Sequence, residues 1–107
     1  MAATPEKKVK DKVVKVLKER GAYYFFPATY GMGRSGVPDI ICCYRSKFIG
    51  IECKAGKGKT TALQDRELAA IKSAGGYDLV VNENNLDDVD EILKTIDNYH
   101  QEGETCS

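Results

Sequence analysis

The chain has 107 residues, enough for one domain with a modest core and too few for two. Its formal net charge of zero hides an asymmetry, since residues 1–60 carry 13 Lys/Arg against 5 Asp/Glu and residues 61–107 carry 3 against 11. A polyanion is expected to approach the first half, and with no signal-peptide pattern or bilayer-length apolar run a soluble cytoplasmic protein is expected, in host-cell cytoplasm if the source is viral.

Thr4-Pro5-Glu6 predicts a helix start, with Thr4 as N-cap and Pro5 at the first helical position. The helix runs to about Arg20, where Gly21 stops it. Its apolar stripe is Val9, Val13, Val16 and Leu17, and at about 100° per residue Glu6 falls within that stripe while Glu19 falls to its side. An inward carboxylate at a helix start either complements the helix dipole or belongs to a site. Ala22 to Phe26 reads as an aromatic strand whose side chains are assigned to the core, base stacking on the tyrosines being the alternative. Pro27 to Gly36 follows as a glycine-rich loop, and Tyr30, Arg34 and Ser35 within it are candidate nucleic-acid contacts. The alternative is a plain connector. Gly31-Met32-Gly33 is followed by no helix, so no nucleotide cofactor is implied.

Two apolar runs, Gly36 to Ile41 and Phe48 to Lys54, flank polar Arg45-Ser46-Lys47 and predict a β-hairpin. Alternation places Glu52 and Lys54 on one side of the second strand and Ile49, Ile51 and Cys53 on the other. If Arg45-Ser46 forms a two-residue turn, Tyr44 pairs with Lys47 and Asp39 lies opposite Glu52, with Cβ atoms roughly 4.5–5.5 Å apart. Arg-Ser is not a favoured pair for such a turn, and a slip of one residue would separate the acids. Two carboxylates so close repel unless one binds a proton or a cation sits between them. Mg²⁺ or Mn²⁺ suits them, taking one or two carboxylates and filling its remaining positions with water and substrate phosphate. The backbone carbonyl of Cys53 is a candidate third ligand, and Lys54 is placed to hold or help deprotonate an attacking water or to neutralise developing charge. That chemistry is phosphodiester hydrolysis. Cys42, Cys43, Cys53 and Cys106 contain no CxxC pair, so reduced, buried thiols are expected and not a zinc site or disulfide framework.

Ala55 to Thr60 is a basic glycine-rich loop, and Lys57 and Lys59 are candidate contacts to the DNA backbone. Its Gly-Lys-Thr is similar to the end of a P-loop, but the first glycine of that motif is missing. A second helix is predicted from about Thr61 to Ala74, with Leu63, Leu68 and Ile71 inward and Thr61-x-x-Gln64 as a capping box. Gly75-Gly76 ends it, Tyr77 to Val81 reads as a buried strand, and Asn85 caps a last helix with Leu86, Val89, Ile92, Leu93, Ile96 and Tyr99 on one face. The outer face of that helix is acidic and should point away from substrate, to solvent or a partner subunit. His100 is read as non-catalytic, and residues 101–107 as a disordered tail beyond an ordered core of about 4–99. The order is α-β-β-β-α-β-α, an α/β (α+β) fold with a mixed sheet flanked by helices.

Pro38-Asp39 followed by Glu52-Cys53-Lys54 resembles the PD-(D/E)xK nuclease superfamily. The fuller context, Ser35-Gly36-Val37-Pro38-Asp39-Ile40-Ile41, Ile51-Glu52-Cys53-Lys54 and Gln64 opening the next helix, is similar to its virus-type replication-repair nuclease (VRR-NUC) branch, over roughly Glu6 to Val81. The resemblance implies a restriction-endonuclease-like fold, a metal-binding role for Glu6 as the first-helix glutamate, and a site role for Gln64 in holding Lys54 or a substrate oxygen. It further implies an Mg²⁺- or Mn²⁺-dependent endonuclease active as a homodimer on branched DNA such as four-way junctions. The alternatives are a monomeric single-strand or nicking nuclease and a non-catalytic nucleic-acid-binding module on the same fold.

Overall fold

A computed structural model describes residues 4–28 and 33–106, with side chains as far as residue 100. The elements are α1 (Pro5–Arg20), β1 (Tyr23–Phe25), β2 (Ile40–Tyr44), β3 (Lys47–Cys53), α2 (Ala62–Ser73), β4 (Tyr77–Val81) and α3 (Asp87–Cys106), in the predicted order. The four strands form one sheet in sequence order. β1, β2 and β3 are antiparallel, while β4 returns through α2 to lie parallel to β3, which makes the sheet mixed. No described helix is long and apolar enough to cross a membrane.

Local chemistry sets the helix ends. The Thr4 hydroxyl accepts from the Lys7 N–H at 3.1 Å, and Gly21 takes the left-handed conformation (φ 77°) that ends α1. At α2 both halves of the capping box are made: the Thr61 N–H donates to Gln64 Oε1 at 2.9 Å and the Gln64 N–H to Thr61 Oγ1 at 3.2 Å. Asn85 does not cap α3 as expected. Its amide donates to the Val80 carbonyl and to Asp88, fastening the loop to the end of β4 instead. The backbone of α3 is helical through Cys106, across the stretch expected to form a disordered tail.

The core lies on one face of the sheet. Val9, Val13 and Leu17 of α1 and Val89, Leu93 and Ile96 of α3 cover Ile40, Cys42, Ile49, Ile51, Cys53 and Val81. Polar links run from α3 to its neighbours: Arg20 donates to Asp90 and Asp97, and Tyr44 Oη and Arg45 also donate to Asp97. Part of the acidic face of α3 therefore meets the arginines of the chain itself. Tyr99, expected on the buried stripe, is exposed, because it lies beyond the last residue the core reaches.

Among the described residues, the opposite face is covered chiefly where α2 lies. A Cβ at Gly50 would stand 2.5 Å from Ile71 Cδ1 and 3.0 Å from Pro38 Cγ, so glycine is what lets α2 settle against β3. Leu63, expected inward, is exposed, since the Gly36 backbone occupies the space beneath its turn of α2. Beyond α2, Tyr23, Phe25 and Phe48 are 71%, 47% and 48% exposed, and Cys43 is exposed with them. The aromatic strand expected in the core is thus a three-residue edge strand on which only Tyr24 is partly covered. Cys42, Cys43 and Cys53 are free thiols.

Gly36 satisfies two demands together. Its φ is 80°, and a Cβ there would lie 2.6 Å from the backbone carbon of Leu63. Gly36→Ala is expected to destabilise the fold by about 2 kcal/mol, read as a lower denaturant midpoint. An unchanged midpoint would show that the contact with α2 gives way freely.

Candidate metal centre

The hairpin supplies two of the acids. Arg45 and Ser46 both adopt positive φ (49° and 66°), the requirement of a two-residue primed turn, and so set the pairing Tyr44 to Lys47 through Ile40 to Ile51. One further step places Asp39 beside Glu52, the predicted register. Asp39 takes over where the backbone ladder ends, its Oδ2 accepting the Cys53 N–H at 2.8 Å. The third acid comes from α1: Glu6, in the first turn, brings a carboxylate oxygen to the same point. One oxygen from each of Glu6, Asp39 and Glu52 lies within 4.8 Å of the other two.

Exposure is graded across the trio. Glu6 is exposed, Asp39 half-buried, and Glu52 is 1% exposed. Glu52 Oε2 is buried without a hydrogen-bond partner. Burial pushes the Glu52 carboxyl up to about 8, helped by its hydrogen bond to Asp39 and by the Asp39 charge, while Lys54 pulls the other way. The metal-free site therefore holds a proton where a cation would compensate the same charges. A buried carboxylate with an orphaned oxygen, in a cluster with two more hard oxygen donors, fits a hard divalent ion, the class to which Mg²⁺ and Mn²⁺ belong. The Cys53 thiol is fully buried in the core on the other face of β3, and burial, with the Asp39 charge, pushes its pKa up to about 12.

Other predicted residues are placed variously. Lys54 is half-buried, directly follows the last residue of β3 and is close enough for its charge to act on Glu52. Gln64 spends its side-chain oxygen on the capping box, which leaves its NH₂ group for other partners. Arg34 is held in a two-bond ion pair with Glu67 at 2.9 Å for each contact, and so is not presented as an open cation. Ser35, Lys57 and Lys59 are exposed. Tyr30 lies outside the described residues.

A cavity of about 330 Å³ opens at Glu6, Asp39 and Cys53. Two of its lining residues, Lys10 and Phe26, were not singled out by the sequence reading. The spacing offered a signal, because Lys10 stands one helical turn after Glu6.

No protein-family model and no curated protein matches the sequence. Among solved structures, a chain described as a "VRR_NUC domain" is 23% identical, with a TM-score of 0.68 over 86% of this chain and 97% of that one. A second, a "VRR_NUC domain protein", is 18% identical, with a TM-score of 0.57 over 92% of this chain and 90% of that one. The chain has the fold of those VRR-NUC domains.

Proposed function

We propose that the chain is a metal-dependent endonuclease that hydrolyses DNA phosphodiester bonds, acting as a homodimer on branched DNA of the Holliday-junction kind. The observation that carries this reading is Glu52, a buried acid with an orphaned oxygen, gathered with Glu6 and Asp39 beside Lys54. A structural ion pair would not crowd three carboxylates together. Mg²⁺ or Mn²⁺, held by Glu6, Asp39, Glu52 and the Cys53 carbonyl, would supply Lewis-acid polarisation of the phosphate and a more acidic water. Asp39 is kept in position for this by the Cys53 N–H. As water attacks phosphorus and a P–O ester bond breaks, the Lys54 ammonium offsets the growing negative charge on the phosphoryl oxygens. The Gln64 NH₂ group would donate to a substrate oxygen. Lys57, Lys59 and Ser35 would meet the sugar-phosphate backbone, so recognition would rest on shape and charge more than on base sequence.

One such site cuts one strand, and symmetric cutting of two requires a two-fold dimer. Supporting a dimer are Tyr23, Phe25 and Phe48, exposed aromatics on the sheet face that α2 leaves bare. The test incubates the protein with labelled single-stranded, duplex and four-way-junction DNA, with Mg²⁺, Mn²⁺ or EDTA, beside Asp39→Ala. The expected result is paired symmetric nicks in the junction that need the metal and vanish in Asp39→Ala. Binding without cleavage under every metal condition would make this a binding module, and unpaired nicks in single strands would make it a monomeric nuclease.

A further inference from the structure

Resting on the nuclease reading, we propose that Lys10, pinned by Phe26 on the α1 wall of the cavity, is a phosphate-binding residue that seats the DNA strand next to the scissile bond. Six lysines lie on α1; Lys7, Lys8, Lys12, Lys15 and Lys18 are exposed, whereas Lys10 is half-buried and lines the cavity with Glu6 and Asp39. Lys7 is engaged by Asp11 at 3.0 Å, while Lys10 pairs with no carboxylate among the described residues. Its Nζ instead stands 4.1 Å from the centroid of the Phe26 ring. Phe26 is 46% exposed and leans on Tyr24 at 5.9 Å, tilted 52°.

A cation–π contact holds an ammonium in place without neutralising it. Lys10 keeps its N–H donors for a third party. A positive charge on the wall of a cation site costs metal affinity unless an anion comes to lie between the two, and in this cavity that anion is a phosphate of the bound strand. Four residues of helix place Lys10 about 40° from Glu6 around the α1 axis, so both address the same opening. Phe26 is then a positioning residue, and its exposed ring is explained by the lysine it carries.

The experiment measures binding of a four-way-junction DNA across a salt series, with Ca²⁺ as the divalent ion, for wild type, Lys10→Met, Lys10→Arg, Phe26→Leu and the double variant Lys10→Met/Phe26→Leu. Lys10→Met should weaken binding about tenfold and lower the salt slope by about one. Lys10→Arg should keep the slope, Phe26→Leu should lose part of the affinity, and the double variant should be no weaker than Lys10→Met. If Lys10 only shielded the carboxylates, Lys10→Met would change Mn²⁺ affinity and leave the salt slope alone, which overturns the proposal. Wild-type protein that binds the junction in Ca²⁺ and cuts it once Mn²⁺ replaces Ca²⁺, with Lys10→Met indistinguishable from it in both, overturns the role of Lys10 and leaves the nuclease reading standing. Wild-type protein that binds no DNA overturns both.

Discussion

Glu52→Gln should make the metal-free protein more stable at neutral pH while removing cleavage. The Glu52 carboxyl sits at about 8 in the fold and near 4.5 when unfolded. Between those values the unfolded chain has released a proton that the native state still holds, so stability from this group is full below 4.5 and falls as pH rises towards 8. At pH 7 the group therefore lowers the stability of the native state, and Gln, which keeps a donor towards Asp39, does not incur that loss. Chemical denaturation from pH 5 to pH 8.5 should show wild-type stability declining relative to Glu52→Gln, and Mn²⁺ should restore the wild type alone by binding the native state. Parallel pH curves would mean that burial does not strain this acid. The site is thus placed where function works against stability, a pattern expected of a binding centre and not of a core.

Lys54→Met should reduce the cleavage rate at saturating DNA by about a thousandfold while Mn²⁺ still binds. The separation of effects follows from charge. Lys54 lowers the proton affinity of Glu52 and repels a metal beside it, so its removal takes away a positive neighbour and leaves the three carboxylates in place. Because Glu52 then holds its proton to higher pH, metal binding should be compared above pH 8.5. Cleavage by Lys54→Met at the wild-type rate would remove Lys54 from the chemistry. Loss of metal and of cleavage together would make it a structural partner of the acids.

The hairpin was legible in the sequence from its period of two, which puts Ile49 and Ile51 inside. The register that carries Asp39 to Glu52 depended on a two-residue turn at Arg45-Ser46, an unfavoured pair that nevertheless takes the required positive φ. Glu6 was legible as an acid aligned with the α1 stripe, though neither its exposure nor its distance from the hairpin was. The misread residues share a cause. Tyr23, Phe25, Phe26 and Leu63 are apolar, and periodicity reports which face they share without reporting whether another element covers it. α2 covers β3 and stops short of β1. For Arg34, expected as a nucleic-acid contact in a glycine-rich loop, the ion pair with Glu67 was not legible, because the two are 33 residues apart, a separation no local pattern reveals. The same holds for the acidic face of the last helix, expected to meet solvent or a partner subunit, whose Asp97 meets Tyr44, Arg20 and Arg45 across the fold.

The central claim is that Glu6, Asp39 and Glu52 together hold one kind of divalent cation, and calorimetric titration of Mn²⁺ into the protein tests it most directly. Saturable binding is predicted for the wild type, with Asp39→Ala and Glu52→Gln binding none and Glu6→Gln binding more weakly. Wild-type protein that takes up no Mn²⁺, or a Glu52→Gln variant that takes it up equally well, would contradict the account.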